Sequence, residues 1–218
     1  MRLASLALTA LIAIAAAGVA FAHDGVEHAT KEEAAGHAAE MAAAALDTPG
    51  FPNVAGGDFR LTDQFGRERS SRDPAGRYQL IFFGYASCKA ICSVALPRMA
   101  EAVDLLAAKG VSVTPLLITV DPERDTVETM REAAPAIHPR LIGLTGSQDD
   151  LAAAYKAFSV EKKLVYVHPE EGPVYAHGTF IYLTGPDGAF KTLMPPVLGA
   201  ERIADIVQKY AGNPVAAR

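Results

Sequence analysis

The hydrophobic residues of this chain form short continuous runs that alternate with segments of helical spacing. Tyr78–Gly84 is an aromatic and branched run, which is typical of a buried strand. Apolar residues then recur at helical spacing from Val94 to Leu106, and Lys109-Gly110 supplies a cationic last turn and a helix end. Val111–Val120 is a second apolar run. The pattern predicts a strand, a helix and a further buried strand in that order.

The rest of the chain continues this alternation. Residues that alternate around an Asp-Gln-Phe-Gly turn predict a small hairpin at Phe59–Glu68. The further predicted elements are a helix opened by a capping box at Asp125–Glu128, a short strand at Leu141–Leu144, a helix from Ser147 through Phe158, strands at Leu164–Val167 and Thr179–Leu183, a turn at Gly185–Gly188 and a helix at Ala200–Tyr210. The whole pattern predicts an α/β domain with a central mixed β-sheet, helices on both faces and an N-terminal β-hairpin.

The amino terminus has the layout of a secretory signal. Arg2 precedes an apolar run, Leu3–Phe21, which closes with Ala20-Phe21-Ala22, a cleavage site of the A-x-A kind. We predict a signal peptide over residues 1–22. A spanning helix needs about 20 apolar residues, so the alternative is an uncleaved membrane anchor through residues 3–22. Both alternatives predict a periplasmic or otherwise exported protein, soluble after cleavage or anchored by its N-terminus.

The composition of residues 23–218 predicts a tether, one domain and a tail, and the net charge restricts the possible partners. Residues 23–50, rich in alanine, glutamate and histidine, predict a flexible or partly helical tether, followed by one domain over 51–211 and a tail over 212–218. The formal net charge of the 218-residue chain is −5, which does not indicate a nucleic-acid partner.

The chain has two cysteines, Cys88 and Cys92. A disulfide between them closes too short a loop to stabilise the fold much, so the pair indicates redox activity or metal binding. Both are predicted at the carboxyl edge of the sheet, where sites gather in α/β proteins. A helix start there is expected to lower the thiol pKa, and the spacing places both sulfurs on one helical face.

A neutral imidazole beside two thiolates would complete a site for copper or zinc. His138 and His168 are predicted to be solvated loop residues, whereas His177 stands just ahead of the strand predicted at Thr179–Leu183. Zinc is disfavoured because structural zinc sites have four protein ligands.

The arrangement of a strand into a dithiol helix, followed later by a short loop into a strand, resembles the thioredoxin superfamily. His177-Gly178 stands where that fold normally has a residue followed by a cis-proline. Within the superfamily, Gly84–Cys92, Thr119–Thr126 and His177–Leu183 together resemble the Sco/SenC family. The likeness covers about Phe59–Tyr210.

The resemblance implies a thioredoxin-like fold and a copper chaperone that binds one copper ion, as Cu(I), Cu(II) or both, through Cys88, Cys92 and His177. It also implies partners: subunit II of cytochrome c oxidase, whose binuclear copper centre is assembled, or another periplasmic copper protein, and other copper chaperones. Such a chaperone is not an enzyme. The alternative is a thiol-disulfide oxidoreductase in which Cys88 and Cys92 reduce a copper-accepting partner.

Other residues carry weaker signals. A peroxidase of the peroxiredoxin or glutathione-peroxidase type is disfavoured. Its activated cysteine needs a dedicated loop with arginine or glutamine partners, and the sequence shows no such setting. Asp121 is either an acid that orients the copper site or a turn former before Pro122, and Asp125 is a predicted helix cap. Lys89 stands where the family usually has proline, and its charge is expected to favour thiolate. Four residues of the tether either capture copper weakly or belong to a solvated spacer: His23, His28, His37 and Met41.

Overall fold

A computed structural model describes residues 21–23, 26–28, 56–73, 75–88, 91–170 and 172–212 of the chain. The chain divides into two units, Met1–Phe51 and Pro52–Arg218. In the first unit β1 (Phe21–His23) pairs antiparallel with β2 (Val26–His28), in a region where the sequence predicts no strands. The rest of the predicted signal peptide and tether, with His37 and Met41, lies outside the described residues. No helix within the described ranges is long and apolar enough to cross a membrane.

The second unit alternates strands and helices. Its strands are β3 (Arg60–Asp63), β4 (Glu68–Ser70), β5 (Tyr78–Gly84), β6 (Val113–Thr119), β7 (Ile142–Thr145), β8 (Lys162–His168), β9 (Gly172–His177), β10 (Ile181–Thr184) and β11 (Phe190–Met194), and its helices are α1 (Cys92–Ala108), α2 (Val127–Ile137), α3 (Gln148–Ala157) and α4 (Ala200–Gly212).

The main sheet has the order β11-β10-β5-β6-β7-β3-β4. β5, β6 and β7 pair in parallel, whereas the remaining neighbours are antiparallel. The hairpin predicted at Phe59–Glu68 is present as β3 and β4. The mixed sheet and the N-terminal hairpin predicted from the sequence are confirmed.

Helices cover both faces of this sheet because the central strands bury both of their faces. β5 and β6 consist almost wholly of buried residues, as expected for parallel strands covered by helices. Successive side chains of a strand point to opposite faces. Accordingly, Phe83 packs against Tyr155 and Phe158 at α3, whereas the neighbouring Phe82 lies with Cys92 of α1 beside Gly84.

β9 was not predicted as a strand, and β8 belongs to a different sheet from the one predicted. The apolar run Leu164–Val167 is a strand, β8, but it pairs with the unpredicted β9 in a separate two-stranded sheet. Leu164, Val165, Tyr166 and Val167 are each at least half exposed. An apolar run indicates a strand without specifying which strand it pairs with, so the pattern alone placed it in the core sheet.

The capping box that begins α2 lies one residue later than predicted. Thr126 is the N-cap, its hydroxyl accepts from the Thr129 N–H, and the Thr129 hydroxyl accepts from the Thr126 N–H. The prediction of Asp125 as the helix cap is therefore wrong. Asp125 points instead toward the loop that carries the cysteines.

Candidate metal site

Cys88, Cys92 and His177 converge at the carboxyl edge of β5. One ligand atom from each, two Sγ atoms and one imidazole nitrogen, lies within 4.8 Å of the others. Cys92 Sγ and His177 Nε2 are 3.9 Å apart, although 85 residues separate them in sequence. Cys88 and Cys92 are buried thiols that are not joined in a disulfide, and His177 is half-buried. The arrangement offers a soft, largely desolvated set of donors that fits copper.

The cysteines are placed by the end of β5 and the start of α1. After β5 the chain turns, and the Cys88 N–H donates to the Tyr85 carbonyl over 3.1 Å. Cys92 is the first residue of α1, as the sequence predicts. A Cβ at Gly84 would lie 3.0 Å from Cys92 Sγ, so glycine leaves room for that sulfur against the strand. We call Tyr85–Cys88 the cysteine loop.

The His177 ring is oriented by a hydrogen bond to the next residue. Nδ1 lies 3.0 Å from the Gly178 carbonyl oxygen. Because a carbonyl only accepts, this contact assigns the proton to Nδ1 and leaves the lone pair of Nε2 facing Cys92. A neutral imidazole held in this tautomer is prepared to ligate a metal through Nε2.

The thiol of Cys92 does not behave as its place at a helix start predicts. A hydrogen bond with Cys88, then burial, then the charge of Cys88 hold the pKa of Cys92 well above its usual value. The prediction that the helix start lowers the thiol pKa is wrong for Cys92, because a neighbouring thiol and desolvation outweigh the helix dipole. Metal binding must therefore displace a proton from Cys92. Lys89, whose charge was expected to favour thiolate, lies outside the described residues.

Tyr85 lies beside the site, and no sequence pattern predicted a role for it. It is buried, and its ring packs edge-on against the rings of His177 and Tyr175, at 6.2 and 6.1 Å between centroids. Burial, with the charge and hydrogen bonding of Cys88, raises the pKa of Tyr85 to about 12. Its position directly between a buried strand and the first cysteine was the available signal.

The remaining predicted residues fall outside the ligand group. His138 bonds with Asp104 through Nε2 at 3.2 Å, and His168 Nδ1 accepts from the Glu170 N–H at the hairpin turn. Asp121 is fully buried at the end of β6, where its carboxylate pairs with Arg124.

A groove borders the two cysteines, which form part of its lining. It runs between α1 and α2, and small or apolar side chains form most of its lining: Ala86, Ser93, Leu96, Pro97, Ala136 and Ile137. Apart from the two cysteines, the lining of the groove therefore offers few side chains that could bind a metal.

Asp125 fixes the cysteine loop to β6. One carboxylate oxygen accepts from the Ala86 N–H over 3.0 Å and from the Thr119 hydroxyl over 2.7 Å. Burial raises the pKa of Asp125, and the hydrogen bonds from Thr119 and Ala86 oppose the rise without cancelling it.

This raised pKa makes the contribution of Asp125 to stability pH-dependent. Between the ordinary pKa of 3.8 and the higher folded value, the folded state binds more protons, so stability falls as pH rises. Asp125→Asn cannot ionise. We expect its free energy of unfolding to improve relative to wild type as pH rises above about 4 in urea denaturation series.

Asp73→Asn is the matched control, because the pKa of Asp73 is shifted in the opposite direction from that of Asp125. Burial raises the pKa of Asp73, but hydrogen bonds from Arg77, Thr114 and Ala75 outweigh it and leave the pKa lowered. Wild type therefore loses the Asp73 contribution as pH falls below 3.8. A difference between Asp125→Asn and wild type that stays constant with pH would contradict the account of Asp125.

Comparison with known proteins gives consistent matches. A family model described as SCO1/SenC matches residues 47–212. The mitochondrial SCO2 homolog of Bos taurus is 38% identical over 159 residues, which cover 72% of this chain and 60% of that protein. The chain thus spans about 60% of the length of this relative.

Solved structures show the same fold. Yeast Sco1 with copper bound is 30% identical, with a TM-score of 0.68, covering 75% of this chain and 91% of that chain. BsSco, a member of the Sco family of cytochrome c oxidase assembly proteins in which a disulfide switch was identified, is 25% identical. Its TM-score is 0.55, and the match covers 71% of this chain and 91% of BsSco. The expected thioredoxin-like fold of the Sco type is confirmed.

Proposed function

Since the chain belongs to the SCO1/SenC family, we propose that it is a copper chaperone that holds one copper ion through Cys88, Cys92 and His177. The observation that carries the proposal is the convergence of two sulfurs and an imidazole nitrogen within 4.8 Å. Thiolates select Cu(I), and imidazole suits copper in either oxidation state.

A chaperone must also release its cargo, and the three ligands differ in a way that suits release. Cys88 and Cys92 are 8% and 1% exposed, and both follow a strand of the main sheet. His177 is half-buried and ends β9, in the hairpin outside that sheet. Exchange of His177 for a ligand of the receiving protein is therefore the first step that we propose for transfer. The groove beside the cysteines provides a second approach.

The proposed partner is subunit II of cytochrome c oxidase, at its binuclear copper centre, or another periplasmic copper protein, with other copper chaperones as donors. The assignment of BsSco to a family of cytochrome c oxidase assembly proteins supports this direction. Delivery would occur in the periplasm, reached through residues 1–22 as a signal peptide or with residues 3–22 retained as an anchor. The match over residues 47–212 supports a single copper domain close to the predicted 51–211.

A second function is favoured by the hydrogen bond between the two thiols. Cys88 and Cys92 lie close enough to bond with each other, as a thiol-disulfide oxidoreductase requires of its attacking and resolving cysteines. The disulfide switch identified in BsSco supports the same chemistry. In this alternative the pair reduces the cysteines of a copper-accepting partner.

Anaerobic titration of the reduced protein with Cu(I) tests the chaperone. We expect one tightly bound ion per chain, and about a 10- to 100-fold weaker site in His177→Ala, because an imidazole contributes less to Cu(I) than a thiolate. His138→Ala is the matched control, since His138 bonds with Asp104 away from the cysteines. A His177→Ala protein that binds Cu(I) as tightly as wild type and exchanges disulfides at the full rate would favour the oxidoreductase.

A further inference from the structure

The hairpin of β8 and β9 carries His177 but is not hydrogen-bonded into the main sheet. Among the described strands, β9 pairs with β8 alone. β8 is exposed over Lys162–Val167, so burial of this strand does little to hold the hairpin. The place of the His177 ring beside the cysteines therefore depends on individual contacts between the hairpin and the domain.

Arg124 makes contacts to both sides of this junction. One terminal guanidinium nitrogen donates to the Pro173 carbonyl of β9 over 2.6 Å. The guanidinium carbon lies 5.4 Å from the centre of the Tyr85 ring, which itself packs against His177. Gly172 has a φ of +77°, and a Cβ there would lie 3.0 Å from Arg124 Nη1. Glycine at this position therefore lets the guanidinium approach the start of β9.

Asp121 anchors the guanidinium from the core. Its carboxylate accepts a hydrogen bond from Arg124 Nε, and its backbone N–H donates to the Thr119 hydroxyl over 2.8 Å at the end of β6. A buried carboxylate needs a charged or hydrogen-bonding partner, and a planar guanidinium presents several N–H groups, so it can bond more than one acceptor. Asp121 thus fixes one edge of Arg124 while other N–H groups reach the hairpin.

We propose that Arg124, anchored by Asp121, is a positioning residue for the metal site that keeps His177 Nε2 within reach of Cys92 Sγ. This inference rests on the proposed copper function. Arg124 acts through the hairpin and is not a ligand itself. Lysine at this position keeps a positive charge beside Asp121, but one ammonium group cannot bond Asp121 and Pro173 in the same geometry and stack on Tyr85.

A thermodynamic cycle separates positioning from general damage to the fold. Arg124→Lys, His177→Ala and the double variant are compared with wild type by competition for Cu(I) with a chromophoric chelator. We expect Arg124→Lys to weaken Cu(I) binding about tenfold when His177 is present, and less than about twofold in the His177→Ala background. Equal losses in both backgrounds, or no loss in either, would overturn the proposal.

Arg131→Lys is the matched control, because Arg131 also donates to a backbone carbonyl, that of Gln64, over 3.2 Å. Arg131 lies on α2 and contacts the turn after β3, so its replacement should leave Cu(I) binding unchanged. A tenfold loss in this control as well would show that the effect of Arg124→Lys is not specific to the hairpin.

A second measurement needs no copper. Amide hydrogen exchange by mass spectrometry reports how firmly β9 is held, and we expect Arg124→Lys to raise exchange over Gly172–His177 about tenfold with β5 unaffected. Unchanged exchange in β9 would refute the positioning role. If wild type bound no Cu(I), the copper proposal would fail, while the exchange experiment would still decide whether Arg124 holds the hairpin.

Discussion

Replacing Cys92 with serine should lower the affinity for Cu(I) by on the order of 10²- to 10³-fold. Four-ligand zinc sites bind with about 10–16 kcal/mol, or about 2.5–4 kcal/mol per ligand, and a tenfold change in affinity is about 1.4 kcal/mol. Serine replaces a soft sulfur with a hard oxygen that Cu(I) does not favour. Because Cys92 is 1% exposed and lies against Gly84, the isosteric hydroxyl should preserve packing.

The measurement is anaerobic competition for Cu(I), with thermal unfolding as a check on the fold. Ser93→Ala is the matched control, since Ser93 is the exposed neighbour of Cys92 at the start of α1. Cys88→Ser is expected to behave like Cys92→Ser, and both should lose more affinity than His177→Ala. A Cys92→Ser protein that retained wild-type affinity would exclude the three-ligand site.

The two cysteines could be placed from the sequence alone, whereas the third ligand could not. Cys88 and Cys92 follow an apolar run and precede a helical pattern, so local periodicity located both at a sheet edge. His177 is 85 residues from Cys92, and only the family resemblance brought it to the same site. Periodicity describes neighbours along the chain, and the contact between β9 and the cysteine loop is made by tertiary packing.

The same limit explains the errors around the site. β9 contains Gly172 and Pro173 and lacks a continuous apolar run, so nothing in its pattern indicated a strand. Asp125 matched a capping sequence, yet its carboxylate accepts a hydrogen bond from the N–H of Ala86, which is 39 residues away in sequence. The pKa of Cys92 is raised by the neighbouring Cys88 thiol and by burial. Neither effect can be predicted from the position of Cys92 at the start of a helix.

A substitution in the aromatic core should lower stability without removing the copper site. Phe83→Ala is expected to lower the free energy of unfolding by about 3–5 kcal/mol, because a buried phenylalanine is replaced and a cavity remains. Phe83 is fully buried, and its ring lies 5.5–6.0 Å from those of Tyr155, Phe158 and Tyr182. Urea denaturation measures the loss.

Phe65→Ala is the control for this substitution, since Phe65 is 52% exposed and its loss should change stability by less than about 0.5 kcal/mol. The ring of Phe83 points to the face of β5 opposite that of Phe82, which lies with Cys92. Folded Phe83→Ala should therefore still bind one Cu(I) ion, so that it loses stability and keeps the site, whereas Cys92→Ser loses the site and keeps stability. Loss of the Cu(I) site in folded Phe83→Ala would show that the aromatic core also sets the position of the ligands.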